Sequence, residues 1–315
     1  MFRYFREADH AALYKKFRHP TPDQLITHIV DYITQQICIP LGVAVDVGCG
    51  AGQSTLVLAP HFTSILGVDP SDAAIQEARG SNPPYNVQFR SHSSARARNR
   101  ETITVRFKPH WERMYLGLGL SLIITTGVGS AESLDVKPGS VHLVTASQAC
   151  HWFNLPQFYQ ETERVLAPGG VLAMYGYLLP RPLFGDIQLG HIVDKYYNTI
   201  LGDYVLDGSK KVYLNNYRDQ EFNRVPFIGE PLVRDESVSA EYQATVTDLV
   251  GYVNSWSACQ NYRRQHGDVN TANILTHFQD EIMQTIGASS APDDTAITIQ
   301  YKYFLLMGRK PLGLH

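Results

Sequence analysis

The segment Val45-Asp46-Val47-Gly48-Cys49-Gly50-Ala51-Gly52-Gln53 constrains this chain more than any other. A short apolar run, Val43 to Val47, ends in alternating glycines and leads into a helix-compatible stretch from Gln53 to Pro60. Glycines at 48, 50 and 52 let the backbone turn sharply from a buried strand into a helix and approach a ligand closely. Their spacing is G-x-G-x-G, not the G-x-G-x-x-G of a dinucleotide loop. Asp46 places an acid just before the loop, where a dinucleotide fold keeps an apolar strand. Asp69 closes the next apolar run, Ile65 to Val68, roughly twenty residues after the loop, where an acid accepts hydrogen bonds from ribose hydroxyls. As local chemistry alone, Asp69 is a turn residue before Pro70 and Asp46 a capping or fold-stabilising acid.

The flanking pattern alternates strand and helix. Leu25, Ile26, Ile29, Val30, Ile33 and Ile37 fall on one helical face, started by Pro22-Asp23 and stopped by Pro40. Asp72 to Arg79 predicts a second helix and Val87 to Phe89 a third strand; Val141 to Ala146 and Val171 to Tyr175 predict the fourth and fifth. Between these two lies a helix over Leu155 to Leu166, stopped by Pro168-Gly169-Gly170. Such alternation indicates α/β architecture, a mostly parallel sheet covered on both faces. After Pro180 the reading changes to helices over 187–201, 247–266 and 271–286, an exposed strand over 238–245 and a final strand over 296–307. The expected division is a helical segment 1–40, a ligand-binding core 41–179 and a substrate or lid region 180–315.

Composition excludes more than it selects. Of 315 residues, 44% are hydrophobic and 18% charged, with a formal net charge of −3. That balance gives no reason to expect a nucleic-acid or membrane partner and favours a small molecule. The four cysteines, at 38, 49, 150 and 259, form no C-x-x-C pair, so neither a metal site nor a disulfide framework is expected. No signal-length apolar run opens the sequence, and Leu116 to Ile124 is too short to span a bilayer. A cytoplasmic location is the expectation, with the oligomeric state open.

Taken together, V-D-V-G-C-G-A-G, G-V-D-P-S, S-V-H-L-V-T-A-S-Q-A-C-H-W-F and R-V-L-A-P-G-G-V-L resemble the class I S-adenosylmethionine (SAM)-dependent methyltransferases. Within them the chain is similar to the type 11 methyltransferases and their trans-aconitate methyltransferase-like group. The resemblance runs from the N-terminal helix through Tyr177 and continues more weakly to the C-terminus. It implies a Rossmann-like, doubly wound sheet with an added helical lid, SAM as cofactor, and methyl transfer to a small acceptor, a carboxylate being favoured. By resemblance, Gly48, Cys49 and Gly50 present backbone to the cofactor, Asp46 lies beneath its methionine end and Asp69 binds its ribose. Ala131 and Glu132 match the adenine-side position, and Gln148 and Ala149 flank the reacting methyl group. His142 departs from the pattern, which commonly has an acid there.

Residues for the acceptor are less constrained. Gln148 to Phe153 sit at the carboxyl end of a central strand, where open α/β sheets bind ligands. His151 is the one candidate general base, and Trp152 is a candidate wall; both also read as ordinary packing residues. Tyr14 and Arg18 belong to an aromatic-Arg segment that, by resemblance, folds over the cofactor, and an Arg there pairs with a carboxylate. Ser255 and Trp256, on the long late helix, are lid candidates. About forty residues, Ser91 to Val128, separate the third strand from Ala131, longer than a structureless loop usually runs in a compact domain. This stretch reads as an insertion foreign to the fold, or as an added functional element. Two rival functions follow: a non-catalytic SAM-fold protein whose site the insertion disturbs, and an NAD-linked oxidoreductase, against which Asp46 and the glycine spacing both count.

Overall fold

The computed structural model describes residues 8–91, 103–104, 123–124 and 131–313. In chain order the elements are α1 (Ala8–Phe17), α2 (Asp23–Thr34), β1 (Leu41–Val47), α3 (Gln53–Leu56), β2 (Phe62–Asp69), α4 (Asp72–Gly80) and β3 (Val87–Ser91). A two-residue antiparallel pair, β4 (Ile103–Thr104) with β5 (Ile123–Ile124), follows. Then come β6 (Val141–Ser147), α5 (Leu155–Val165), β7 (Leu166–Tyr177), β8 (Arg181–Phe184), β9 (Ile187–Gln188), α6 (Gly190–Lys195), α7 (Asp207–Tyr213) and α8 (Gln220–Asn223). The chain continues through β10 (Val233–Asp235), β11 (Ser239–Thr245), α9 (Val246–Asn254), α10 (Ser257–Ile286) and β12 (Ala296–Arg309).

The main sheet runs β3-β2-β1-β6-β7-β12-β8-β9, with β10 and β11 also pairing with β12. Pairs from β3 to β7 are parallel, and every pair involving β12 is antiparallel. Parallel strands covered on both faces should be apolar throughout. Leu41, Ala44, Val45 and Val47 of β1 are indeed fully buried, as are Leu143, Val144 and Ala146 of β6. Helix α2 buries Leu25, Ile26, Ile29 and Ile33 on the face its spacing predicts. Strand order reverses at β1, whose neighbours β2 and β6 each connect onward in opposite directions. A crevice therefore opens at the carboxyl ends of β1 and β6, the position where doubly wound sheets bind ligands.

The doubly wound α/β expectation holds, with local corrections. Helix α3 stops at Leu56, short of Pro60. Strand β7 starts at Leu166 and runs through Pro168-Gly169-Gly170, which therefore lie inside the strand. Ile187–Gln188 is an edge strand on β8, not the start of a helix. The helix expected over 247–266 breaks at Ser255 and Trp256, because Trp256 is extended (φ −66°, ψ 140°). Beyond the break, α10 continues to Ile286 across a kink at Gly267, whose φ of 84° no helix interior holds. The expected insertion, Ser91–Val128, lies outside the described residues apart from Ser91 and the β4–β5 pair. Arg90 and Asp135, on either side of it, form an ion pair at 3.4 Å. Among the described residues no helix is long and apolar enough to cross a membrane.

Candidate active site

The glycine loop follows directly from β1. Gly48, Gly50 and Gly52 have φ of 72°, 53° and 89°, values an L side chain adopts only with strain. A Cβ on Gly48 would lie 2.5 Å from that of Ala149, so the loop packs tightly against the end of β6. A Cβ on Gly50 would meet nothing within 4 Å; that side of the loop opens into a cavity of about 150 Å³. Across the cavity mouth, the Asp69 carboxylate accepts the Gly50 N–H at 2.9 Å and the Ser71 N–H at 2.8 Å. Burial nevertheless pushes its pKa up to about 6. A carboxylate anchored this way keeps lone pairs for further donors such as vicinal hydroxyls.

The structure gathers Gly48, Cys49, Gly50, Asp69, Gln148 and Ala149 on this one cavity wall. Gln148 sits at the end of β6 with a φ of 49° and donates Nε2 to the Tyr177 carbonyl at 2.9 Å. Its Oε1 is buried without a partner. Three expected residues lie elsewhere. Asp46 is fully buried beneath the loop, off the cavity wall, and accepts the hydroxyls of Ser54 (2.8 Å), Thr55 (2.6 Å) and Thr145 (3.0 Å). Those bonds tie the end of β1 to α3 and β6, so Asp46 braces the loop and has no direct route to a ligand. Glu132 accepts the Asn154 N–H at 3.0 Å, at the start of α5, and neither it nor Ala131 lines the cavity.

A second, smaller cavity of about 50 Å³ adjoins the first and shares Tyr14, Arg18, Gln148 and Trp152 with it. Its far wall is built from His151, Tyr197, Tyr213, Ser255 and Trp256. The helix break at Ser255-Trp256 falls at this wall. Tyr197 and Tyr213 escaped the sequence reading; the only signal was the run of tyrosines after residue 187. Arg18 stands at the junction, only 8% exposed. Its Nε donates to Ser255 Oγ at 3.1 Å, and Nη1 donates to Tyr177 Oη at 3.0 Å and Tyr252 Oη at 2.9 Å. The guanidinium also lies 4.3 Å from the Tyr252 ring centre and 4.9 Å from that of Tyr14. Every partner is neutral, and no ion pair among the described residues includes Arg18. Gln53, on the glycine loop side, donates to the carbonyls of Lys15 and Arg18 and so fixes the end of α1 over the cavity.

His151 makes a 2.7 Å hydrogen bond between Nδ1 and Tyr217 Oη. Burial, with the Lys211 charge added, pushes its pKa down to about 3, so the imidazole is neutral and weakly basic near neutrality. Burial also raises the phenols of Tyr14, Tyr177, Tyr213 and Tyr252, which stay protonated. Among the described residues the cavity walls therefore hold one guanidinium, Arg18, one carboxylate already engaged by backbone, Asp69, and two imidazoles, His19 and His151, that burial pushes below the ordinary histidine range.

Comparison with known proteins agrees with this geometry. Two family models, each described as a methyltransferase domain, match residues 44–105 and 108–174. Their boundary falls inside the long stretch between β3 and Ala131. A Dictyostelium discoideum protein named as a methyltransferase is 25% identical over 298 residues, covering 94% of this chain and 92% of that protein. A Saccharomyces cerevisiae protein named as a SAM-dependent methyltransferase is 23% identical over 176 residues, covering 54% of this chain and 48% of its own length. The fold matches that of a type II methyltransferase from Anaeromyxobacter dehalogenans with a TM-score of 0.64 at 23% identity, over 94% of this chain and 100% of that one. A glycine cradle open to a cavity, a backbone-anchored carboxylate at the end of the next strand and these matches support a SAM-dependent methyltransferase on a Rossmann-like fold.

Proposed function

We propose that the enzyme methylates a carboxylate of a small organic acid, which Arg18 holds at the junction of the two cavities. The observation that carries this reading is a buried guanidinium with only neutral partners. Burying a charge without a counter-ion is costly, so a ligand that supplies one gains correspondingly. Nε and Nη1 donate to Ser255, Tyr177 and Tyr252, and the Tyr213 phenol is a further neutral partner. A carboxylate oxygen outcompetes a neutral hydroxyl for a guanidinium N–H, because charge-assisted hydrogen bonds are roughly twice as strong, and its second oxygen is then free to react. The motif likeness to the trans-aconitate methyltransferase-like group points the same way.

In the larger cavity, Asp69 would accept ribose hydroxyls, the Gly48–Gly50 backbone would face the cofactor, and Gln148 and Ala149 would border its reacting end. Bound there, SAM supplies an electrophilic methyl group whose transfer leaves a neutral thioether. The chain's own part is to align the acid and exclude water, which is where most of the rate gain from fixed orientation arises. A carboxylate acceptor is already an anion, so its methylation requires no general base. The acceptor's carboxylate oxygen would take the methyl group and the bond pair would leave with the neutral thioether, so the chain's residues need only hold the oxygen in line. The test is to incubate the protein with methyl-labelled SAM and a panel of short mono- and dicarboxylic acids. Label appearing in volatile, base-labile methyl ester supports the reading; label only in amine or phenol ether products refutes it.

A further inference from the structure

We propose that the second cavity is a specificity subsite for a second oxygen-bearing group of the acceptor, held by the Tyr197 hydroxyl and the Trp256 indole N–H. The proposal rests on the reading of Arg18 as the carboxylate anchor. Tyr197 and Trp256 are 3% and 2% exposed, and both line this cavity. Tyr197 Oη and Trp256 Nε1 are buried with no hydrogen-bond partner. Native proteins leave few such groups unpaired, and each one calls for a specific explanation. The two rings meet edge to face at 5.2 Å and 87°, so the orphan groups belong to one packed unit. The other orphan hydroxyls, on Thr162 and Tyr301, line neither cavity.

The chemistry of the orphans selects the ligand. An indole N–H only donates, and a phenol hydroxyl donates readily, so the matching group is an acceptor: a carboxylate, carbonyl or hydroxyl oxygen. Volume limits the rest of the molecule. At about 50 Å³ the cavity has room for about four water-sized groups, at roughly 10–15 Å³ each. Beside the carboxylate on Arg18, that admits a few carbon atoms and one polar group. It excludes a fatty or long isoprenoid tail. Ser209 and Ser257, with hydroxyl oxygens 3.4 Å apart, add polar surface on the same wall. The predicted acceptor class is thus a short hydroxy-, oxo- or dicarboxylic acid.

The experiment compares butanoate, 4-hydroxybutanoate, butanedioate and octanoate. Binding to the protein saturated with S-adenosylhomocysteine is measured by calorimetry, and methyl transfer by kcat and KM. The oxygen-bearing C4 acids should beat butanoate by about tenfold in kcat/KM, as expected for one recovered hydrogen bond or two, and octanoate should not bind. Tyr197→Phe and Trp256→Phe should each shrink the ratio of kcat/KM for the oxygen-bearing acids over butanoate toward one, mainly through KM; Trp256→Phe should also lower the thermal midpoint, since it removes buried ring volume, whereas Tyr197→Phe keeps the ring. A preference unmoved by both variants, or octanoate binding best, overturns the subsite. If the acids bind and lose affinity in Arg18→Gln but show no preference among themselves, only the subsite fails. If Arg18→Gln changes nothing, or no acid binds at all, the underlying carboxylate reading fails with it.

Discussion

The two cavities are made in opposite ways. The larger is centred on two short stretches, the glycine loop after β1 and the turn after β2, and is closed by side chains from α1, β6, β7 and β12. The smaller is assembled from side chains on α1, the turn after β6, the helical stretch around Tyr197, α7 and the α9–α10 junction. Backbone recognition fixed by glycine is tied to a local motif and suits a ligand that never changes. Side-chain recognition from distant segments is tied to the tertiary fold, and each wall residue can be exchanged without disturbing the sheet. The comparison predicts that damage to the first cavity removes all activity, whereas damage to the second changes which acid is used.

The most severe break should be Gly50→Val. A β-branched residue at a φ of 53° is strained, and its side chain would project into the open space beside the loop. SAM binding by calorimetry should be abolished while the far-ultraviolet circular dichroism of the sheet persists. Wild-type affinity in this variant would mean that the cofactor does not lie against the loop. Next in size is Arg18→Gln, which leaves an acidic ligand without its counter-charge. Truncating one partner of a buried charged pair costs about 2–5 kcal/mol, so acid binding should weaken by that amount. SAM affinity should fall by less, because the guanidinium stands at the junction of the two cavities while the glycine loop and Asp69 are left intact; equal loss of both ligands would erase the distinction between the two regions.

That same contrast explains what was legible in the sequence. Val45 to Gln53 and Asp69 could be read because glycines at positive φ and an acid closing a strand are local requirements. The partners of Asp46 could not be read, because sequence spacing does not reveal a side chain's direction; Ser54, Thr55 and the distant Thr145 capture its carboxylate. Arg18 was visible through family likeness, Trp152 through its place at the carboxyl end of a central strand, and Ser255 and Trp256 only as candidates on a long helix, since α1 and the α9–α10 junction meet through tertiary packing. Tyr197 was hidden in a helical stretch whose periodicity says nothing about which phenol faces a cavity. The break at Ser255-Trp256 also escaped, there being no proline or glycine at those positions to mark it.

Asp69→Ala should cost about 2–4 kcal/mol of SAM binding, from lost charge-assisted bonds to two hydroxyls and from the released Gly50 and Ser71 amides. Its pH dependence sharpens the assignment. Hydroxyls donate to the ionised carboxylate, so SAM favours the deprotonated form, and affinity should fall as pH drops below about 6. The unliganded fold has the opposite linkage. With the folded pKa raised above that of an unfolded Asp, the contribution of this group to stability declines as pH rises through that interval. Asp69→Asn should flatten the binding profile across pH 5–7. A wild-type profile that is already flat would show that the carboxylate does not meet the cofactor.

The smallest expected effect concerns the stretch between β3 and Ala131, which neither cavity wall draws upon among the described residues. Arg90 just before it and Asp135 just after it are 3.4 Å apart, so the two chain ends lie near each other and a short connection can join them. Replacing residues 92–128 with about five Gly and Ser residues shortens the loop by about three halvings. At roughly 0.6 kcal/mol for each, closure entropy favours the shortened protein by about 2 kcal/mol. At about 2–4 °C per kcal/mol for a domain of this size, the thermal midpoint should rise by about 4–8 °C. SAM affinity should equal or exceed that of the intact chain, since the described residues that frame the larger cavity all lie outside this stretch. A rise well beyond closure entropy would indicate that the stretch imposes a cost of its own, such as apolar surface around Leu120 to Ile124 left facing water. A fall in soluble yield, midpoint and SAM affinity together would show the reverse: the stretch is an integrated part of the cofactor side, and the expectation that it is foreign to the fold is wrong.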